Sequence, residues 1–311
     1  MAITTYSDLV TNGGRVSQVL SALVQEALYD PTDLRETLVF VPWAGMGSDT
    51  MRVTVDEAPG GFAAATSDSV GGVTPTAYTT AKFDLQVARY LRSYQLTDLI
   101  GVSGGPINME GIVKNLMDGV ALTMTDITTT LFSAMSSTVS PAAGSTEDLD
   151  VGAIYAAQYA LNNANNMAGS GYTCVLYPEQ MNNFRASLRS ESGALQYVPA
   201  TAEMLATKGP GFQGSWNGID FYQSDSVPSH AAGASSIGAM YSKGWASYTM
   251  APVRALQGRF IPTDQVIVDA ETLIVEIERD ATNGLTTAIA NLYPAVAEAN
   301  ANRGVGIISD R

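Results

Sequence analysis

The sequence has few of the residues that build metal and disulfide sites. Its 311 residues include one cysteine, Cys174, and one histidine, His230. A lone cysteine excludes an intramolecular disulfide, and a zinc site needs several Cys or His ligands. Cys174 lies in the apolar run YTCVLY, which is typical of a small buried hydrophobe. His230 lies in VPSHAAGASS without a G-x-S-x-G elbow to hold a nucleophilic serine, so we interpret it as a solvated loop histidine.

Basic residues are also scarce. Lys and Arg number 16 against 30 Asp and Glu, which gives a formal net charge of −14. The lysines are Lys82, Lys114, Lys208 and Lys243, and they form no basic stripe. Proteins that wrap nucleic acid need clustered Lys and Arg to neutralise phosphates. We therefore expect only weak, non-specific contact with DNA.

Long apolar runs are absent as well. No window approaches the roughly 20 apolar residues that cross a bilayer, and we expect no membrane partner. The start, MAITTYSDLV, lacks the basic and apolar regions of a signal peptide.

Acidic and glycine-rich clusters do not form a recognisable site. Glu147, Asp148 and Asp150 lack the D-x-D-x-D-G pattern of a calcium loop and instead fit a helix N-terminus. Asp56 and Glu57 lie in too irregular a segment for a glycosidase pair. GVSGGP and GGFAAA do not have phosphate-binding spacing. We predict no enzyme, no cofactor, and no catalytic, cofactor-binding or metal-binding residue.

Aromatic residues are not interleaved with basic ones, as they would be on a nucleic-acid platform. We predict core positions for several of them: Tyr94, Tyr155, Tyr159, Phe184 and Trp245.

The most unusual segment present covers residues 44–81, which are rich in Gly, Ala, Ser and Thr. Strand-like runs flank it at Thr37–Val41 and Lys82–Tyr90. Loops of this length are uncommon in compact domains, and a segment that cannot bury itself must stay disordered or be ordered by a partner. We predict a protruding two-stranded arm with few contacts to its own subunit.

Apolar spacing predicts two helices before residue 140. One covers 12–29 and ends before Pro31. The other runs over Asn108–Ser136 with Asn108 as its N-cap, and at about 1.5 Å per residue it would be roughly 40 Å long.

The second half reads as an α/β module followed by strands. A helix over 150–166, a central strand over Tyr172–Tyr177 and a helix over Pro178–Ser190 come first. Asn217 and Gly218 then predict the turn of a hairpin. Alternating runs follow, broken by Asn-Gly at 283–284, and the last residues, ANRGVGIISDR, are polar with one short apolar run. The predicted fold class is α+β.

This order of elements resembles the major capsid protein of tailed bacteriophages, whose fold is named after phage Hong Kong 97. The phrases YTCVLYPEQMNNFRASL, GIDFYQSDSVP and AMYSKGWASYTM are similar to those of such proteins. The resemblance implies an N-arm, an extended E-loop hairpin, a P-domain with a long spine helix and a β-sheet, and an α/β A-domain. The implied boundaries are 1–41 for the N-arm, 42–84 for the E-loop, 85–145 for the P-domain with its spine helix at 109–136, 146–236 for the A-domain, 237–290 for P-domain return strands, and 291–311 for a C-terminal segment whose membership of the A-domain stays open.

The resemblance also implies a function. The chain would assemble with itself into hexamers and pentamers of an icosahedral head around double-stranded DNA, in the host cytoplasm, and reside in the virion. Portal, scaffolding and decoration proteins would be further partners. Some members cross-link through an E-loop lysine, but residues 44–81 contain none, so we expect a shell without such cross-links.

Two alternatives stay open at the level of sequence. An encapsulin-like nanocompartment shares the fold and encloses an enzyme cargo. An acidic α+β hydrolase or adhesin would instead stay monomeric and bind a ligand in a cleft.

Overall fold

The computed structural model describes residues 33–43, 48–56, 80–97, 109–141, 147–165, 171–190, 197–230, 234–252, 266–269 and 273–310. These residues contain four α-helices and 17 strands in four sheets. The helix predicted at 12–29 and most of the segment at 44–81 lie outside them.

The largest sheet has eight strands of mixed direction. Seven of them form a continuous path in the order β5 (Thr138–Val139), β17 (Gly304–Asp310), β11 (Ser235–Ser242), β6 (Tyr172–Leu176), β9 (Ile219–Gln223), β8 (Phe212–Trp216) and β7 (Val198–Pro199). The eighth, β10 (Ser229–His230), pairs with β11. The sequence prediction of a central strand at β6 is confirmed, because β6 pairs with β11 on one side and β9 on the other.

Two helices cover one face of this sheet, α2 (Val151–Asn165) and α3 (Pro178–Ser190). Ile154 of α2 and Phe184 of α3 pack with inward-facing side chains of the sheet, among them Trp216 and Met240. As predicted, Pro178 begins α3, where its missing N–H costs no helical hydrogen bond.

A second core covers the other face, with Leu34, Phe132, Tyr241 and Trp245 among its members. Strand β11 supplies side chains to both cores, so all eight of its residues are buried. Burial on two faces explains why its sequence is not an alternation of apolar and polar residues.

The long helix α1 (Met109–Thr130) packs on a separate antiparallel sheet. This sheet has the order β13 (Val266–Asp269), β14 (Leu273–Asp280), β15 (Leu285–Leu292) and β4 (Tyr90–Thr97). Val120 and Met124 of α1 meet Ala290 and Leu292 of β15. The helix begins as predicted but ends at Thr130, where a 3-10 turn at Leu131–Ala134 replaces the last predicted residues. At about 1.5 Å per residue, α1 is therefore about 33 Å long.

Two smaller sheets complete the described chain. One has the order β1 (Val39–Phe40), β12 (Ala246–Met250) and β16 (Pro294–Glu298). The other is a two-stranded antiparallel ribbon of β2 (Thr50–Asp56) and β3 (Thr80–Gln86).

The predicted strand over Lys82–Tyr90 is wrong in its extent, because β3 ends at Gln86 and β4 begins in another sheet at Tyr90. Between them, the Val87 N–H donates to the Asp49 carbonyl (2.9 Å) and the Ala88 N–H to the Pro294 carbonyl (3.2 Å). These two bonds hold the backbone as it passes from the ribbon to the four-stranded sheet.

The predicted hairpin is confirmed. β8 and β9 pair across Asn217 (φ 50°) and Gly218 (φ 76°), both in the left-handed region that an Asn-Gly turn supplies. A short helix, α4 (Ala202–Lys208), precedes the hairpin and was not predicted.

The eight-stranded sheet also joins residues on both sides of the predicted domain boundary at 236, since β11 crosses it and β17 lies beside β11.

Candidate assembly surfaces

The single cysteine and the single histidine lie in opposite environments, one buried and one exposed. Cys174 is fully buried in β6, and burial raises the pKa of its thiol far above the ordinary value. It therefore behaves as the predicted small hydrophobe, because a thiol of such high pKa is a poor nucleophile. His230 is exposed in β10, the strand at the side of β11, rather than in the predicted loop.

Of the acidic residues before α2, Asp150 bonds to the helix N-terminus, whereas Asp148 bonds to Asn183 of α3. The Ala153 N–H donates to Asp150 Oδ1 (2.8 Å), and Asn183 Nδ2 donates to Asp148 Oδ1 (2.8 Å). A carboxylate that accepts a free N–H in the first turn stabilises a helix. Asp56 ends β2, while Glu57 lies outside the described residues.

Over the described ranges, no group of three or more His, Cys, Asp and Glu side chains is placed to hold a metal ion. In the same part of the chain, no helix combines the length and the apolar character needed to span a bilayer.

The β2–β3 ribbon forms the first exposed surface. The guanidinium of Arg52 donates to both carboxylate oxygens of Asp84 (2.8 and 3.0 Å), and both side chains remain largely in solvent. These hydrogen bonds lower the pKa of Asp84. Five of the seven residues of β3 are exposed, whereas Leu85 is fully buried where β3 contacts β16. The ribbon is thus attached to the subunit at one end of β3.

An isolated two-stranded ribbon is marginally stable in water, and unpaired strand edges invite pairing with another chain. Part of the predicted two-stranded arm is present, because β2 within the 44–81 segment pairs with β3 at its end, from Thr50 opposite Gln86 to Asp56 opposite Thr80. The predicted protrusion of the tip falls outside the described residues and stays a prediction.

The second surface is the outer side of α2. Tyr155 is 48% exposed and Tyr159 is 72% exposed, so the prediction of core positions for these two tyrosines is wrong. The helix turns about 100° per residue, so the buried stripe through Ile154, Ala157 and Leu161 leaves Tyr159 on the opposite side and Tyr155 beside the stripe, half-exposed. The apolar spacing of the stripe was the signal that could have separated them from the core. By contrast, Phe184 and Trp245 are buried as predicted, and Tyr94 is half-buried.

A third surface lies between α1 and β4, an open groove lined mainly by apolar residues. Tyr90 (40% exposed) and Leu91 (60% exposed) form its β4 side. Arg92 also lines it, with its guanidinium 5.4 Å from the centre of the Tyr94 ring.

Comparison with known proteins gives matches in structure but not in sequence. No protein-family model matches the sequence, and no curated protein matches it significantly. The capsid structure of the cyanophage P-SCSP1u superposes with a TM-score of 0.62 at 11% identity, covering 91% of this chain and 90% of that one. The capsid of Ralstonia phage GP4 gives 0.62 at 10% identity, with coverages of 90% and 92%. The capsid of a native GTA particle gives 0.56 at 11% identity, with 90% of each chain covered.

These neighbours are structural capsid proteins rather than enzymes. The chain has their fold over nine-tenths of its length, which confirms the predicted α+β fold of the Hong Kong 97 type. At about one-tenth identity, the likeness establishes the fold alone.

Proposed function

We propose that this chain is the major capsid protein of a tailed-phage-type particle, and that its copies assemble into the hexamers and pentamers of an icosahedral head. The observation that carries the proposal is the extent of the structural match: about nine-tenths of this chain superposes on about nine-tenths of a capsid chain.

Features of the chain itself support self-association. The β2–β3 ribbon leaves most of β3 in solvent, and the groove between α1 and β4 leaves Tyr90 and Leu91 exposed. In a shell built from many copies, weak contacts of this kind add up, because each copy is held by several neighbours at once. In this proposal β2 and β3 are the base of the E-loop, α1 is the spine helix of the P-domain, and the eight-stranded sheet is the centre of the A-domain.

Electron microscopy of the purified full-length chain tests the proposal. Closed shells are expected, and particles isolated from infected host cells should protect double-stranded DNA from nuclease. Shells that contain a protein cargo and no DNA would favour the nanocompartment instead. A chain that stays monomeric under all assembly conditions would rule out both kinds of shell.

The lysine-free segment at 44–81 leads to a second proposal, that the shell is held by non-covalent contacts only. Assembled shells boiled in detergent should then run as single chains on a denaturing gel. A ladder of covalent multimers would contradict this.

A further inference from the structure

The outer side of α2 differs from an ordinary exposed helix surface because it has no charge. Between Asp150 and Glu179 the sequence contains no Asp, Glu, Lys or Arg. Over residues 151–163 of α2, the exposed residues are instead small, aromatic or amide-bearing: Gly152, Tyr155, Ala156, Tyr159, Asn162 and Asn163. A helix that faces water normally has charged and polar side chains on its outer side.

The neighbouring helix α3 shows that this absence is local. Both helices cover the same face of the eight-stranded sheet. On its outer side α3 has Glu179 and Arg189, which are exposed, and Arg185, which is half-buried. The two helices therefore share one core but have different outer surfaces. The outer surface of α3 has the charged side chains that are usual in contact with water. The outer surface of α2 resembles the core of a protein interface, where charges are depleted and tyrosine is enriched.

Several side chains on the outer side of α2 are also ordered by contacts within the subunit. The Tyr155 ring meets the ring of Trp216 edge-on, with 5.0 Å between their centres. Asn217 Nδ2 donates to Gln158 Oε1 (3.1 Å), which ties the hairpin turn to the helix, and the Tyr172 hydroxyl donates to Asn162. Side chains that are already ordered lose little entropy when a partner covers them.

The net charge of the chain indicates which partner fits. Each copy carries −14, so a contact centred on its charged surface would bring like charges together, which is unfavourable. A basic partner would gain no electrostatic attraction from this surface, because the surface has no carboxylates. A second copy of this chain, however, can meet this surface without that repulsion.

We propose that the uncharged outer side of α2, centred on Ala156 and Tyr159, is a contact surface between copies of this chain. The inference rests on the proposed shell function and specifies one of the surfaces through which the copies meet.

Two alanines provide a matched test. Ala156 on α2 and Ala186 on α3 are both exposed and both lie within helices on the same face of the sheet. Ala156→Glu and Ala186→Glu add the same charge, and Ala and Glu have similar helix propensities. Assembly of each purified full-length variant is followed by light scattering and sedimentation over a range of protein concentrations, and folding is checked by circular dichroism.

We expect Ala186→Glu to assemble at the wild-type concentration and Ala156→Glu to need at least tenfold more protein, with the same helical signal in both. Tyr159→Ser, at a side chain that is 72% exposed, should weaken assembly in the same direction without adding charge. If wild type forms shells and both α2 variants assemble as it does, the inference is overturned and the shell function stands. That outcome would also be expected if α2 were covered by a different protein. If wild type forms no shells, the proposed function fails and this inference fails with it.

Discussion

The eight-stranded sheet and the β2–β3 ribbon are both built of paired strands, but they differ in what covers them. The sheet is covered on both faces, by α2 and α3 on one side and by the core around Phe132 and Trp245 on the other. The ribbon has one fully buried side chain on β3, Leu85, and a solvent-exposed pair, Arg52 and Asp84. The sheet is thus stabilised within one subunit, while the ribbon has surface available for another.

The composition of the strands explains the difference. β11 reads SSIGAMYS, small and apolar residues that fit between two layers, and every one of them is buried. β3 reads TAKFDLQ, in which polar side chains are exposed on most positions. Stability should therefore be concentrated in the sheet, and changes in the ribbon should affect assembly more than folding.

The largest effect on folding is expected at Trp216, which is 1% exposed and packs against both Phe184 and Tyr155. Trp216→Ala should lower the free energy of unfolding by about 3–5 kcal/mol, because it removes a large buried ring and leaves a cavity. Urea denaturation measures this. Leu91→Ala, at a side chain 60% exposed, is the control and should change it by less than about 0.5 kcal/mol. Similar losses in the two variants would contradict the concentration of stability in the sheet.

A smaller loss is expected at Gly238 in β11. A Cβ at this position would lie 2.7 Å from the Val175 carbonyl oxygen and 3.0 Å from Gln180 Oε1. Gly238→Ala should therefore cost about 1–3 kcal/mol through overpacking. Gly171→Ala is the matched control, since a Cβ there would meet nothing within 4 Å. Equal denaturation midpoints for the two variants would show that β11 has room for a Cβ at position 238, contrary to these distances.

Alkaline pH should weaken the sheet through Tyr222. Burial, with smaller contributions from Asp220 and Glu36, raises the pKa of its hydroxyl to about 12 from an ordinary value of 10.0. The folded state holds this proton more tightly than the unfolded state, so the contribution to stability is complete below pH 10 and is lost as pH rises towards 12. Urea midpoints measured from pH 9 to pH 12 should fall, and Tyr222→Phe should make the fall less steep. An equally steep fall in the variant would contradict the assignment to Tyr222.

The smallest effect on folding is expected in the ribbon. Arg52→Ala breaks the pair with Asp84, but both side chains are exposed, and pairs of this kind contribute little to stability. The urea midpoint should stay at the wild-type value within error. A loss as large as that of Gly238→Ala would show that the ribbon is an integral part of the subunit core.

Local signals made part of this fold predictable from sequence. Pro178 and the apolar run before it located β6 and α3, and the Asn217–Gly218 turn located the hairpin, because these features act within a few residues. Strand β17 was harder to recognise, since GVGIISD is short and contains glycines. It is a strand because β11 and β5 pair with it on its two sides, and these partners are distant in sequence.

The surfaces were predictable only in part. The small-residue segment at 44–81 indicates an arm, and β2 within it does pair with β3 at its end. Tyr155 and Tyr159 were misassigned to the core because their residue type outweighed their position on the helix. The absence of charge along α2 was visible in the sequence, but its meaning depends on knowing that α3, beside it, has charges on its outer side.

Electron microscopy of the purified full-length chain tests the central claim most directly. We predict closed shells of uniform size that fall apart into single chains in hot detergent. A chain that remains monomeric across protein concentration, salt and pH would contradict it.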